Sequence, residues 1–124
     1  EIDPPRISSL ATLHGRVLGA TAPEIAAAID AVLAALTHPL VERARAAPRC
    51  HRELPILLRL DDDRVLEGII DLAFLEDGAW TIVDFKTDAH LTQLRPRYER
   101  QLAWYVYAMT RLTGLPASGC LFSL

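Results

Sequence analysis

At 124 residues the chain is long enough for one hydrophobic core and too short for two. A hydrophobic share of 51% against 23% charged residues excludes a disordered chain, and a formal charge of −3 excludes a global electrostatic footprint for nucleic acid, so any polyanion must be met by local arginines or a bound metal. No apolar run reaches membrane-spanning length, no signal-peptide pattern opens the chain, and Cys50 and Cys120 match no zinc or redox spacing, which points to reduced thiols in a cytoplasmic protein.

After "EIDPPR" the segment Ser8 to Leu18 reads as a helix, with Ser8 or Ser9 as N-cap, Leu10, Leu13, Val17 and Leu18 at helical spacing, and His14 on the same stripe. In "TAPEIAAAIDAVLAALTH", Thr21 and Glu24 stand at capping-box spacing, Pro23 falls in the first turn and the alanines supply propensity. A short helix follows Pro39 to about Ala47. From Cys50 the texture changes. "HRELPILLRL", "RVLEGIIDLAFL" and "AWTIVDFKT" predict three strands, separated by Asp61-Asp62-Asp63 and by Asp77-Gly78, a strong hairpin signal. "LTQLRPRYERQLAWYVYAMTRLTG" returns to helix, with Gly114 as its cap and Pro116 beyond, and "SGCLFSL" is a candidate last strand. Helices, a β-meander, then helix and strand describe an α/β protein around a small mixed sheet.

With Asp77-Gly78 as a two-residue turn, counting outward sets Asp71 opposite Asp84 at a non-hydrogen-bonded pair, Cα atoms about 4.5 Å apart and side chains on one face. Two carboxylates held that close among Ile, Leu, Val and Phe repel each other unless a cation or proton intervenes. A divalent ion is the natural counter-charge, and hard oxygen ligands favour Mg²⁺ or Mn²⁺. Alternation puts Lys86 on the same face and Phe85 on the other. Lys86 is the one lysine among twelve arginines. An ammonium beside a carboxylate-bound metal can orient water or stabilise charge on a phosphate; the alternative is a hairpin in which Lys86 neutralises two acids. Glu53 interrupts an apolar strand, either to reach the same cleft or as an edge acid in solvent. Tyr98, Leu102, Tyr105, Met109 and Leu112 form a core stripe, and Gln101 lies one turn from Tyr105. Arg95, Arg97 and Arg100 surround the start of that helix as a solvated end or a phosphate-contacting patch.

"LATLHGRVL", "RELPILL", "GIIDLAF", "WTIVDFKTD" and "YERQLAWYVYAMTRL", in that order, resemble the RecB-type nucleases of the PD-(D/E)XK superfamily, most of all the C-terminal nuclease domain of AddA/RecB-like helicase-nucleases. The resemblance covers nearly the whole chain. It implies a restriction-endonuclease-like core, with His14, Asp71, Asp84 and the backbone carbonyl of Phe85 as metal ligands. Lys86 then matches the catalytic lysine, Glu53 the acid on the preceding strand, and Gln101 with Tyr105 the substrate-binding motif on the following helix, where Arg97 is a further candidate. It departs from the family at Gly15, which weakens helix propensity after the histidine. Two cysteines are too few for the four-cysteine iron-sulfur cluster of some relatives, so none is expected.

These features predict a single nuclease domain, residues 1–124, that begins at Glu1 as a C-terminal fragment of a longer helicase-nuclease. The expected activity is Mg²⁺-dependent hydrolysis of DNA, with Mn²⁺ as substitute, in exonuclease mode, within a bacterial enzyme of double-strand-break repair. Its partners would be DNA, the helicase region of the same parent chain and a second helicase-nuclease subunit, with no membrane. Lys86 being the only lysine, no G-x-x-x-x-G-K-[ST] loop exists, and any motor lies outside this chain. The rival reading is a catalytically inactive module that binds DNA or a partner; a third is a restriction-type or RNA-directed phosphodiesterase.

Overall fold

The computed structural model describes residues 19–86 and 88–123, so the predicted helix from Ser8 to Leu18, and His14 with it, lies outside the described residues. The chain divides between Arg43 and Ala44 into two compact units. Helix α1 (Ala22–Thr37) begins as its sequence predicts: the Thr21 hydroxyl accepts from the Glu24 amide at 3.3 Å and the Glu24 carboxylate accepts from the Thr21 amide at 3.4 Å, closing a capping box. Helix α2 (Pro39–Ala46) starts at its proline, where a missing N–H costs nothing. No single helix of the described residues is long and apolar enough to cross a membrane.

The second unit holds β1 (Arg49–Arg59), β2 (Val65–Glu76), β3 (Ala79–Lys86), α3 (Asp88–Thr113) and β4 (Ala117–Ser123). The strands form one sheet in the order β1-β2-β3-β4, antiparallel through β3 and parallel between β3 and β4. A meander plus a later parallel strand, connected by a long helix, is the mixed α/β sheet expected of a restriction-endonuclease-like core. Asp77 and Gly78 take φ of 53° and 77°, the left-handed pair that a two-residue hairpin turn requires, and the register runs from Glu76 opposite Ala79 to Leu72 opposite Val83. Helix α3 begins at Asp88, three residues before the predicted Leu91, and carries Pro96 in its interior. It ends where Gly114, at φ 71°, donates back to the Thr110 carbonyl at 2.9 Å.

The core lies between the sheet and α3. Leu102, Tyr105, Ala108 and Met109 of the helix pack with Ile56, Leu58, Ile70, Ala73, Trp80 and Ile82 of the strands. Within β2 the residues of this cluster include Ile70 and then Ala73, a step of three that breaks two-residue alternation. β1 makes the same step, since Leu54 packs on the cluster while His51, three residues earlier, stacks on Trp80 at 5.9 Å. Both strands therefore change phase at one level, where the pairing of Arg52 with Leu72 resumes only at Leu54 with Ile70. Glu53, at the skipped rung, has φ 49°, a left-handed backbone that relieves the change of phase in β1. The other side of β2 and β3 is also closed, with Leu72, Phe74 and Val83 buried.

Candidate functional site

Asp71 stands at the skipped rung of β2, beyond the last paired residue of the β2–β3 ladder. With no ladder partner there, its carboxylate Oδ2 accepts from the Phe85 amide at 2.9 Å, a bond that joins β2 to β3 by a side chain in place of the backbone. Asp84, on β3 and paired in register with Leu121 of β4, is 5% exposed, the one buried charged residue among those described. The hairpin register ends at Leu72 opposite Val83, one position short of the expected Asp71–Asp84 pair, and the Asp71 carboxyl is near enough to Asp84 to raise its pKa. Lys86, two residues on and on the same face, places Nζ 3.1 Å from Asp84 Oδ2 and 4.2 Å from the centroid of the Tyr98 ring. The cation is thereby held between a carboxylate and an aromatic face. Phe85 points away and meets Phe122 edge to face at 5.5 Å.

Burial holds the Asp84 carboxyl above the ordinary aspartate range, and the neighbouring Asp71 carboxyl adds to this; Lys86 opposes both and only partly offsets them. One ammonium faces two carboxyls, which leaves a net negative charge in a poorly hydrated place. Asp84 Oδ2 is buried and, apart from the Lys86 ion pair, receives no hydrogen bond among the described residues. An under-satisfied buried carboxylate oxygen beside a second carboxyl suits a hard divalent cation such as Mg²⁺ or Mn²⁺, so the residues present fit one.

Other predicted residues divide between those the structure brings to this place and those it does not. Gln101 lies on α3 one turn beyond Tyr98, and its Nε2 donates to the Tyr105 hydroxyl at 3.3 Å. Tyr105 itself is 9% exposed and packs so closely on β2 that a Cβ at Gly68 would approach its hydroxyl to 2.7 Å. Arg97 is exposed and forms no ion pair among the described residues. Glu53 faces the Asp71 position across the β1–β2 ladder yet is exposed, and no cluster of three acidic, histidine or cysteine side chains able to hold a metal occurs among the described residues. The two carboxylates and the lysine are thus assembled, while Glu53 stands apart from them and His14 lies outside the described residues. Tyr98, assigned by spacing to the core stripe, is also the seat of Lys86; its place seven residues before Tyr105, on one helix face, is the sequence signal for that role.

A family model for the PD-(D/E)XK nuclease superfamily matches residues 6–123. The chain is similar to an ATP-dependent helicase/nuclease subunit of Heliobacterium modesticaldum, 31% identical over 117 residues that cover 77% of this chain and 8% of that protein. The protein of the same description from Streptococcus pyogenes serotype M5 is 40% identical over 75 residues, 55% of this chain and 6% of its own length, and that from Clostridium botulinum is 34% identical over 70 residues with the same coverage. The chain therefore spans less than a tenth of the length of these relatives.

Proposed function

Because the chain belongs to the PD-(D/E)XK nuclease superfamily, we propose that it is a divalent-metal-dependent DNA nuclease domain, the cutting part of a bacterial helicase-nuclease that processes double-strand breaks in the cytoplasm. The observation that carries this reading is the buried Asp84 Oδ2, beside the Asp71 carboxyl and bonded to nothing but the Lys86 ammonium among the described residues. Asp71, Asp84 and the Phe85 carbonyl would hold Mg²⁺ or Mn²⁺, with His14 as a further ligand. When bound, the metal supplies Lewis acidity toward a phosphoryl oxygen and acidifies a water.

The chain's own residues do the remaining work. The bond from the Phe85 amide fixes the Asp71 carboxylate and would leave its second oxygen to meet the metal. Lys86, kept in place by Asp84 and the Tyr98 ring, donates to the attacking water or to the phosphate oxygens as charge builds on them. Gln101 and Tyr105, tied to each other, offer an amide and a hydroxyl to the substrate backbone, and the exposed Arg97 guanidinium offers charge. Glu53 would act as a water-positioning acid once the substrate is seated. The expected partners are a helicase region in the same parent chain and a second helicase-nuclease subunit, following the names of the relatives.

Asp84→Ala and Lys86→Ala should each lower Mg²⁺-dependent cleavage of DNA by at least about 10²-fold while leaving the far-ultraviolet circular dichroism spectrum unchanged. Near wild-type cleavage by either variant would sink the assignment. Titration with Mn²⁺ separates this reading from an inactive module, because binding that is absent, or unchanged in Asp71→Ala, belongs to the latter.

A further inference from the structure

The Lys86 ammonium lies 3.1 Å from Asp84 Oδ2, at ion-pair distance, yet that buried oxygen receives no hydrogen bond from it or from any other described residue. A cation so close to a poorly hydrated carboxylate aligns with a lone pair unless something else draws it. Here the Tyr98 ring does so, its centroid 4.2 Å from Nζ. The ring stands on a packed face of α3. Leu102 and Tyr105, four and seven residues further on, are 8% and 9% exposed, and a Cβ at Gly119 of β4 would come within 2.7 Å of Leu102 Cγ. Glu99, the acid next to Tyr98, is taken by Arg95 at 2.9 Å, which leaves the ring as the group of α3 that meets Lys86.

We propose that Tyr98 is a positioning residue whose ring holds the Lys86 ammonium off the lone pairs of Asp84 Oδ2 and so keeps that oxygen open to a divalent cation. The inference rests on the metal reading of the Asp71–Asp84 cleft given above. Its physical reason is competition. An ammonium and a divalent cation are drawn to the same carboxylate oxygen, and a Lys86 fully hydrogen-bonded to Oδ2 must be displaced before a metal can enter. A Lys86 seated on an aromatic face has already given up that lone pair. A carboxylate or an amide at position 98 would also attract the ammonium, but it would bring an oxygen able to take the metal from Asp84; the ring attracts the cation without a competing ligand. The same seat keeps the ammonium charged and beside the cleft, where its proposed work on water or phosphate requires it.

The test is calorimetric titration of the 124-residue chain with Mn²⁺ in the absence of DNA, where cleavage plays no part. Tyr98→Leu, which keeps apolar bulk and removes the ring, should weaken Mn²⁺ binding about fivefold or more, and Tyr98→Phe, which keeps the ring face, should stay within about twofold of wild type. In a Lys86→Met background, Tyr98→Leu should leave Mn²⁺ affinity unchanged, because no ammonium is there to fall onto Asp84. Thermal melting in EDTA establishes that each variant is folded. Equal affinity in wild type and Tyr98→Leu, or an equal loss with and without Lys86, would each overturn the inference, the second in favour of a ring that only packs. A loss in Tyr98→Phe as large as in Tyr98→Leu would overturn it too, in favour of the hydroxyl. The metal reading fails by a different result, Mn²⁺ binding that is absent from the wild type or unchanged in Asp71→Ala. A wild type that binds Mn²⁺ through Asp71 but is indifferent to Tyr98→Leu therefore sinks this inference alone.

Discussion

Asp84 carries an electrostatic tension that two neighbours and burial set between them. Its carboxyl is held above the ordinary range by burial and by Asp71, so folding favours its protonated form. The stability tied to that proton is fully present below the unfolded-state range of aspartate and is lost as pH rises through the raised folded value. Wherever the group is ionised without metal it is therefore a cost that the fold carries. Asp84→Asn, which keeps the shape and removes the charge, should melt a few degrees higher than wild type at pH 7 in EDTA while losing cleavage, and the advantage should shrink as pH falls into the carboxylate range. A variant that melts below wild type at pH 7 would show instead that the Lys86 ion pair outweighs burial. The opposition of Asp71 and Asp84 was legible in the sequence because Asp77-Gly78 admits one tight turn and the turn sets the count. The left-handed backbone of Glu53 was not, since glutamate shows no local preference for it and only the phase change of two paired strands demands it.

At the scale of elements, the site depends on how closely α3 lies on the sheet. A Cβ at Gly119 of β4 would come within 2.7 Å of Leu102 Cγ, and Leu102 is 8% exposed in the core of the helix face. The neighbour is the branch point of a packed side chain, so it has little room to yield. Gly119→Ala should thus destabilise by roughly 1–3 kcal/mol in urea unfolding, and should lower cleavage further by shifting the helix that carries Tyr98, Gln101 and Tyr105. The strands, the hairpin and α3 followed from periodicity and turn chemistry. Periodicity did not reveal the phase change inside β1 and β2, because each half of those strands alternates correctly on its own and the fault lies only in their junction. Nor did it set Trp104 and Tyr107 of α3 apart, because both count as apolar in any pattern and only their exposure marks them as something other than core.

For the whole molecule, a divalent ion that joins Asp71 and Asp84 would tie β2 to β3 and remove the repulsion between them. Binding to the folded chain alone raises stability by about 2.7 kcal/mol at a hundredfold excess over Kd. Mn²⁺ should therefore raise the melting temperature of the wild type by several degrees and leave Asp84→Asn within a degree of its metal-free value. An equal rise in both would place the metal elsewhere. The family match runs through both compact units, from residue 6 to residue 123, while the matched stretch is only 6% and 8% of the length of two of the relatives. The motor and partner proposed above rest on the names of those relatives, not on any residue described in this chain.

The skipped rung between Arg52–Leu72 and Leu54–Ile70 has a mechanical side as well. Left-handed backbone at Glu53 and a carboxylate turned toward β3 at Asp71 divide the two-stranded ribbon into an inner segment, bonded into the sheet, and an outer arm that ends in the turn beside Trp104. The missing pair leaves the ribbon locally less protected at that level, while Ile56, Leu58 and Ile70 of the outer segment stay buried in the core with α3. Amide hydrogen exchange should then be faster at Glu53 and Asp71 than at Ile56, Leu58 and Ile70, whose segment is held by the core.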